Sequence, residues 1–146
     1  MTAEIRYVLA IDLGTKRVGL AIADPVHRIA TGLGVVEYKG LQKFIEDLKK
    51  IVDDENVRLA VVGLPLNMDG SEGVKARQAR KIAGIIEEKL EIDVELIDER
   101  LTTEEAVRRL HAAEGKVGKS RAKLNMMAAI IILQDYLDSL PPRSLS

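Results

Sequence analysis

Apolar and polar positions along the chain change period several times, and each change marks an element. Three apolar segments come first: Arg6–Asp12, Val18–Ala23 and about Thr31–Tyr38. Gly14 and then the Asp24-Pro25 turn separate them, which predicts an antiparallel meander. Leu41, Phe44, Ile45, Leu48 and Val52 then fall on one helical face. "VRLAVVGLP" is a continuous apolar run stopped by Gly63 and Pro65, the pattern of a strand covered on both sides. A long helix over about Ser71–Leu90 follows, with cations gathered at its beginning, and "DVELIDE" reads as another strand.

The C-terminal third is helical. "LTTEEAVRRLHAAEG" opens on Thr102 and Glu105, the spacing of a capping box, and stops near Gly115. A basic loop, "GKVGKSRAK", leads to a last helix over about Lys123–Ser139, which contains "MMAAIIIL". That helix is apolar nearly all round, so deep packing is expected. The order βββαβαβαα predicts an α/β domain with a mixed sheet, its later strands parallel and joined by right-handed crossovers. Residues 1–140 form the expected single domain, and 141–146, "PPRSLS", a frayed tail.

Composition narrows the chemistry. A length of 146 residues, 47% of them hydrophobic, suits one soluble core. With no cysteine, disulfides and thiolate metal sites are excluded, and a reducing compartment is consistent. No apolar stretch approaches the roughly 20 residues that cross a bilayer, and "MTAEIRYVLA" lacks the marks of a signal peptide. These features point to a cytoplasmic protein with no membrane partner. His27 and His111 read as surface or partly packed residues.

Against this background the acids at strand ends stand out. Asp12 closes the first strand, and Asp98-Glu99 close the last. Ligands of open α/β sheets gather at the carboxyl ends of strands. Two carboxylates meeting there repel unless something positive lies between them. With no cysteine available, a hard divalent cation, Mg²⁺ or Mn²⁺, fits oxygen ligands best. The competing reading makes Asp12 a turn residue and Asp98-Glu99 a cap or a local ion pair. Asp98 and Glu99 point to opposite faces of a strand, and periodicity does not choose between them. Gly14 allows a tight turn, with positive φ as one way to make it, and close approach to a phosphate. Thr15, Lys16 and Arg17 follow with a hydroxyl and two cations. "DLGT" alone resembles the phosphate loop of sugar kinases, actin and Hsp70-type ATPases. Those proteins close two such domains around ATP, and this chain supplies one.

Several segments together carry a more specific resemblance. "AIDLGTKRVGLAIAD", "VVGLPLNMDGSEG", "VELIDERLTTEEA" and "MMAAIIILQDYL" resemble, in order and spacing, the YqgF family, also called RuvX-like, Holliday junction resolvase or pre-16S rRNA nuclease. The match runs from about Val8 to Leu137. It implies a ribonuclease H-like fold, a five-stranded mixed sheet with helices on both faces. It also implies metal-dependent hydrolysis of nucleic-acid phosphodiesters, in 5′-end processing of pre-16S rRNA during ribosome biogenesis or in Holliday junction resolution. The family pattern places its first carboxylate at Asp12 and its second at Glu99. The third position, usually Asp, is Asn125 here. An amide oxygen still coordinates a cation but adds no charge, so weaker binding and reduced activity are expected. The resemblance thus makes Asp12, Glu99 and Asn125 the catalytic and metal-binding residues, and it leaves a weakly active nucleic-acid-binding factor open.

Candidate phosphate contacts are cationic. Lys75, Arg77, Arg80 and Lys81 cluster in one segment, and Lys116, Lys119, Arg121 and Lys123 in another; Lys16, Arg17 and Arg100 stand beside the acids. Such residues bind phosphates by releasing counterions, without reading sequence. A solvated helix face is the competing reading for the first cluster. With aromatics at 3%, a stacking platform is not expected. The partner is a structured RNA or a branched DNA, and nothing in the sequence chooses between a monomer and a homodimer.

Overall fold

The computed structural model describes residues 6–99 and 121–142. The expected helix from Thr102 to Gly115, together with Arg100, His111, Lys116, Lys119 and the end of the tail, lies outside the described residues. The described residues form five strands: β1 (Tyr7–Leu13), β2 (Arg17–Ala23), β3 (Thr31–Glu37), β4 (Val57–Leu64) and β5 (Asp93–Asp98). They form one sheet in the order β3-β2-β1-β4-β5. The β1–β2 and β2–β3 pairs are antiparallel, and β1–β4 and β4–β5 are parallel. This is the expected mixed sheet, with β1 at its centre.

Helices cover both faces. Helix α1 (Leu41–Asp54) and helix α2 (Val74–Leu90) pack on one side; helix α3 (Arg121–Ser139) packs on the other. Strand alternation makes the two cores. Leu9 and Ile11 of β1 join Leu20, Phe44, Leu48, Val62 and Ile86 under α1 and α2. Val8 and Ala10 join Ala21, Val61, Ile132, Leu133 and Leu137 under α3. Helix α2 starts at Val74 rather than near Ser71 because residues 67–71 close on themselves. There the Ser71 hydroxyl donates to Asp69 at 2.6 Å, and the Asn67 amide donates to the Ser71 hydroxyl at 3.0 Å. After α3 the chain stays tied: Arg28 donates to the Pro141 carbonyl at 2.8 Å.

The sheet meets α3 through small residues. A Cβ on Gly19 of β2 would collide with the Asn125 carbonyl and lie 2.8 Å from the Met126 nitrogen, both backbone atoms that cannot turn aside. Gly19 faces Asp12 across the β1–β2 ladder. The same missing Cβ that lets α3 settle therefore brings Asn125 over the end of β1.

Gly19→Ala is expected to lose about 3 kcal/mol of stability by overpacking, read from urea unfolding. Gly84, mid-helix in α2 with open space around its missing Cβ, provides the contrast. Gly84→Ala should gain about 0.5–1 kcal/mol through lower unfolded-state freedom. Equal effects at the two positions would refute the close-approach account of Gly19.

Candidate active site

Alternation along β1 sends Asp12 to the α3 face and Leu13 to the opposite one, where Leu13 packs with the α1–α2 core. On β5, Leu96 joins the α1–α2 core and Ile97 the α3 core. Glu99 follows the parity of Ile97 and turns toward Asp12, while Asp98 is exposed on the other side. Glu99, rather than Asp98, therefore shares the rim of the sheet with Asp12. The Glu99 backbone N–H donates to the Leu64 carbonyl at 3.2 Å, which holds the residue beside the end of β4.

Asn125 completes the group from α3. Its amide donates to Asp12 Oδ2 at a long 3.4 Å. Asn125 lies four residues after Arg121 on α3. Three glycines clear the space. A Cβ on Gly63 would sit 2.5 Å from Glu99 Oε2, and one on Gly14 would sit 2.8 Å from Asn125 Nδ2. Gly14 is not among the residues with positive φ. The requirement there is room, above all against the Arg17 carbonyl, which accepts the Gly14 N–H at 3.0 Å. Gly19 was not singled out from the sequence, and Gly63 was read as the end of an apolar run although it lies inside β4; a lone glycine inside an apolar strand is a signal of close approach.

A second strand-end acid shows the alternative fate. Asp24, after β2, accepts the backbone N–H groups of Val26 and His27, each at 2.8 Å, and holds the His27 ring at 2.8 Å. It is a turn residue, and these bonds keep its carboxyl below the ordinary range. Asp12 is different: among the described residues its carboxylate meets side chains.

The electrostatics follow from that placement. Burial pushes the Asp12 carboxyl up, against the hydrogen bonds from Asn125 and Glu99. Glu99 is pushed up to about 8 by burial, then by the charges of Asp12 and Asp98 and by its hydrogen bond with Asp12. The two acids thus share a proton, since two adjacent carboxylates leaving water cannot both ionise cheaply. The donor set fits a hard divalent cation: two carboxylates and an amide oxygen, once the Asn125 amide turns over. Among the described residues no group of three or more His, Cys, Asp or Glu side chains has metal-binding geometry.

The cations do not form one patch. Arg80 holds both carboxylate oxygens of Glu72 at 2.8 Å, and Arg77 donates to the Glu72 carbonyl at 3.0 Å. Lys75 instead lines a cavity together with Gly14 and Thr15. Lys16 and Arg17 flank the same loop, and Lys123 lies two residues before Asn125. Lys81 is exposed on α2.

Because Glu99 binds its proton more tightly when folded, its stabilising effect is complete below its ordinary value of 4.5 and is lost as pH rises through about 8. Metal-free protein in EDTA should therefore show a falling Tm across that window, and Glu99→Gln should flatten the profile. A wild-type profile that is already flat would show that the acids do not share a proton.

The chain is similar to known proteins over most of its length. The family model described as "RuvX: Holliday junction resolvase" matches residues 6–139. A "putative pre-16S rRNA nuclease" of Dictyoglomus thermophilum is 48% identical over 134 residues, covering 90% of this chain and 95% of the relative. A protein of the same description from Pelotomaculum thermopropionicum is 41% identical over 133 residues, covering 90% and 86%. Among solved structures, Thermus thermophilus RuvC in complex with a Holliday junction substrate superposes with a TM-score of 0.58 at 13% identity, covering 90% of this chain and 93% of that one. The fowlpox virus resolvase in complex with its Holliday junction gives 0.54 at 11% identity, covering 91% and 97%. At those identities the likeness is one of fold, the ribonuclease H-like fold of the resolvases. On sequence, the chain belongs to the RuvX family.

Proposed function

We propose that this protein is a metal-dependent nuclease that hydrolyses nucleic-acid phosphodiesters, with 5′-end processing of pre-16S rRNA as its reaction. The observation that carries this reading is the buried Asp12–Glu99 pair at the carboxyl edge of the sheet, with Asn125 against it. The description of relatives at 41–48% identity supports the RNA substrate. Asp12, Glu99 and Asn125 would hold Mg²⁺ or Mn²⁺. Bound there, such an ion supplies positive charge to the phosphodiester and lowers the pKa of a water.

The chain's own residues do the positioning. Asp12 is fixed by the central strand and Glu99 by its backbone bond to Leu64, so neither carboxylate has a loop's freedom. Lys16 and Arg17 stand one short turn from Asp12, where they can take the substrate's phosphates. In the same role we place Lys75, and from the second cluster Lys116, Lys119, Arg121 and Lys123, with Arg100 beside Glu99. Asn125 withholds the third negative charge, which weakens the hold on the cation. That same residue favours the second reading, a nucleic-acid-binding factor with weak cleavage. Among the described residues no helix is long and apolar enough to cross a membrane.

The deciding assay offers a 5′-extended rRNA precursor fragment and a four-way DNA junction in Mn²⁺. Asn125→Asp should cut about tenfold faster than the natural chain, the equivalent of about 1.4 kcal/mol, and Asp12→Asn should not cut. Precursor RNA should be the preferred substrate. Preference for the junction would make the protein a resolvase, and no cleavage by any variant would leave the binding role. In parallel, Mn²⁺ should raise Tm in the natural chain, and neither Asp12→Asn nor Glu99→Gln should respond.

A further inference from the structure

On the other side of the Gly14 loop from the acids lies a cavity of about 330 Å³. It contains neither Asp12 nor Glu99. Its floor is apolar, from Leu13 and from Ala79 and Ile82 of α2, and its rim is polar, from Thr15, Tyr38, Lys75 and Gln78. Leu13 is the residue after Asp12, on the opposite face of the sheet. The acid pair and the cavity are thus neighbours across the thickness of one short hairpin loop.

The rim is built of groups without work inside the protein. Among the described residues the side chains of Thr15, Lys75 and Gln78 and the Tyr38 hydroxyl have no hydrogen-bond or ion-pair partner. This contrasts with Arg77 and Arg80 on the same helix, which Glu72 holds. Lys75, Gln78, Ala79 and Ile82 follow the spacing of one helical face, so α2 turns its bound cations one way and its unbound polar groups another. Lys75 also stands in the first turn of α2, where no acidic residue accompanies it and a positive charge opposes the helix dipole. The Tyr38 ring is braced by fully buried Phe44, with ring centroids 5.5 Å apart.

An apolar floor beside a braced aromatic wall takes a flat ring. The Gln78 amide offers one donor and one acceptor to the edge of such a ring, and Lys75 offers charge to a phosphate attached to it. Unpaired bases of a bound strand are recognised by this combination. We propose that the cavity is a base-binding subsite: it takes an unpaired base of the bound strand, next to the phosphodiester that a cation at Asp12 and Glu99 would contact. This rests on the nuclease reading for the position of that phosphate. One tyrosine makes a single-base subsite, which needs no run of stacked aromatic residues.

The test measures binding separately from cleavage. Wild-type protein in EDTA is titrated by fluorescence anisotropy with labelled decamers of rA, rC, rG and rU and with a decamer of abasic ribose phosphates. The best base-bearing decamer should bind about tenfold more tightly than the abasic one, the order expected for one well-seated base. Gln78→Leu, at an exposed position, should reduce that preference to about threefold or less. Lys75→Ala should weaken base-bearing and abasic decamers alike and lower the salt slope by about one. Equal affinity for abasic and base-bearing strands, or an unchanged preference in Gln78→Leu, would overturn the proposal. So would nucleoside monophosphates binding as tightly as the decamers, which would make this a free-nucleotide site. If the base preference and its dependence on Gln78 hold while no variant cleaves in Mn²⁺, the nuclease reading falls and the subsite stands. If cleavage holds and the preference is absent, the subsite alone falls.

Discussion

Helix α3 lies over a face of the sheet from which bulk has been removed. Ala10 of β1, Gly19, Ala21 and Ala23 of β2 and Gly63 of β4 present hydrogen or methyl where other sheet positions carry branched side chains. Met127, Ile132, Leu133 and Leu137 fill the volume from the helix side, so the interface is packed by large residues on one partner and small ones on the other. At Gly19 the allowance is tightest, because the helix backbone itself occupies the place of a Cβ. Since Gly19 is the ladder partner of Asp12, this packing contact also sets the geometry of the site.

The site puts charge where the fold is least able to hold it. Two carboxylates share the rim of the sheet, and burial raises both above their ordinary values. A proton between them relieves the repulsion in the metal-free protein, and a cation would relieve it more completely. Asn125 fits both states. Its amide gives Asp12 a donor, and its neutrality spares the fold a third buried carboxylate; in the metal site we propose, the same neutrality would weaken the hold on the ion. Local rules of folding are broken at this rim, as is usual where a fold carries chemistry.

The cationic run at the start of α2 shows how helix geometry divides a sequence cluster. A single segment of lysines and arginines contributes to two faces because neighbouring positions are about 100° apart. Glu72 collects Arg77 and Arg80, and Lys75 goes with Gln78 to the cavity behind Gly14. Arg77 and Arg80 are thus occupied within the protein, and the substrate contact we propose would draw on Lys75. Tyr38 is divided in the same way. As composition it was one of few aromatics; in place, it is a braced wall beside the loop that carries Asp12.

The local order of elements was legible in the sequence. Alternation and turn residues marked the meander, a spacing of three and four marked α1, and a run apolar nearly all round marked α3, because these patterns reflect contacts within one element. Asp12 at a strand end was legible too, and the family resemblance supplied Glu99 and Asn125 as its companions. The residues alone could not choose Glu99 over Asp98, since Leu96 and Ile97 are both apolar and both faces of β5 are covered. Nor did they reveal why Gly19 and Gly63 must be glycine, which Tyr38 and Gln78 line a cavity, or which arginines Glu72 would hold. Those facts depend on residues far apart in the chain, such as Asp12 and Asn125, 113 positions apart. Local periodicity fixes what an element buries, and only the packing of one element on another decides which side chains meet.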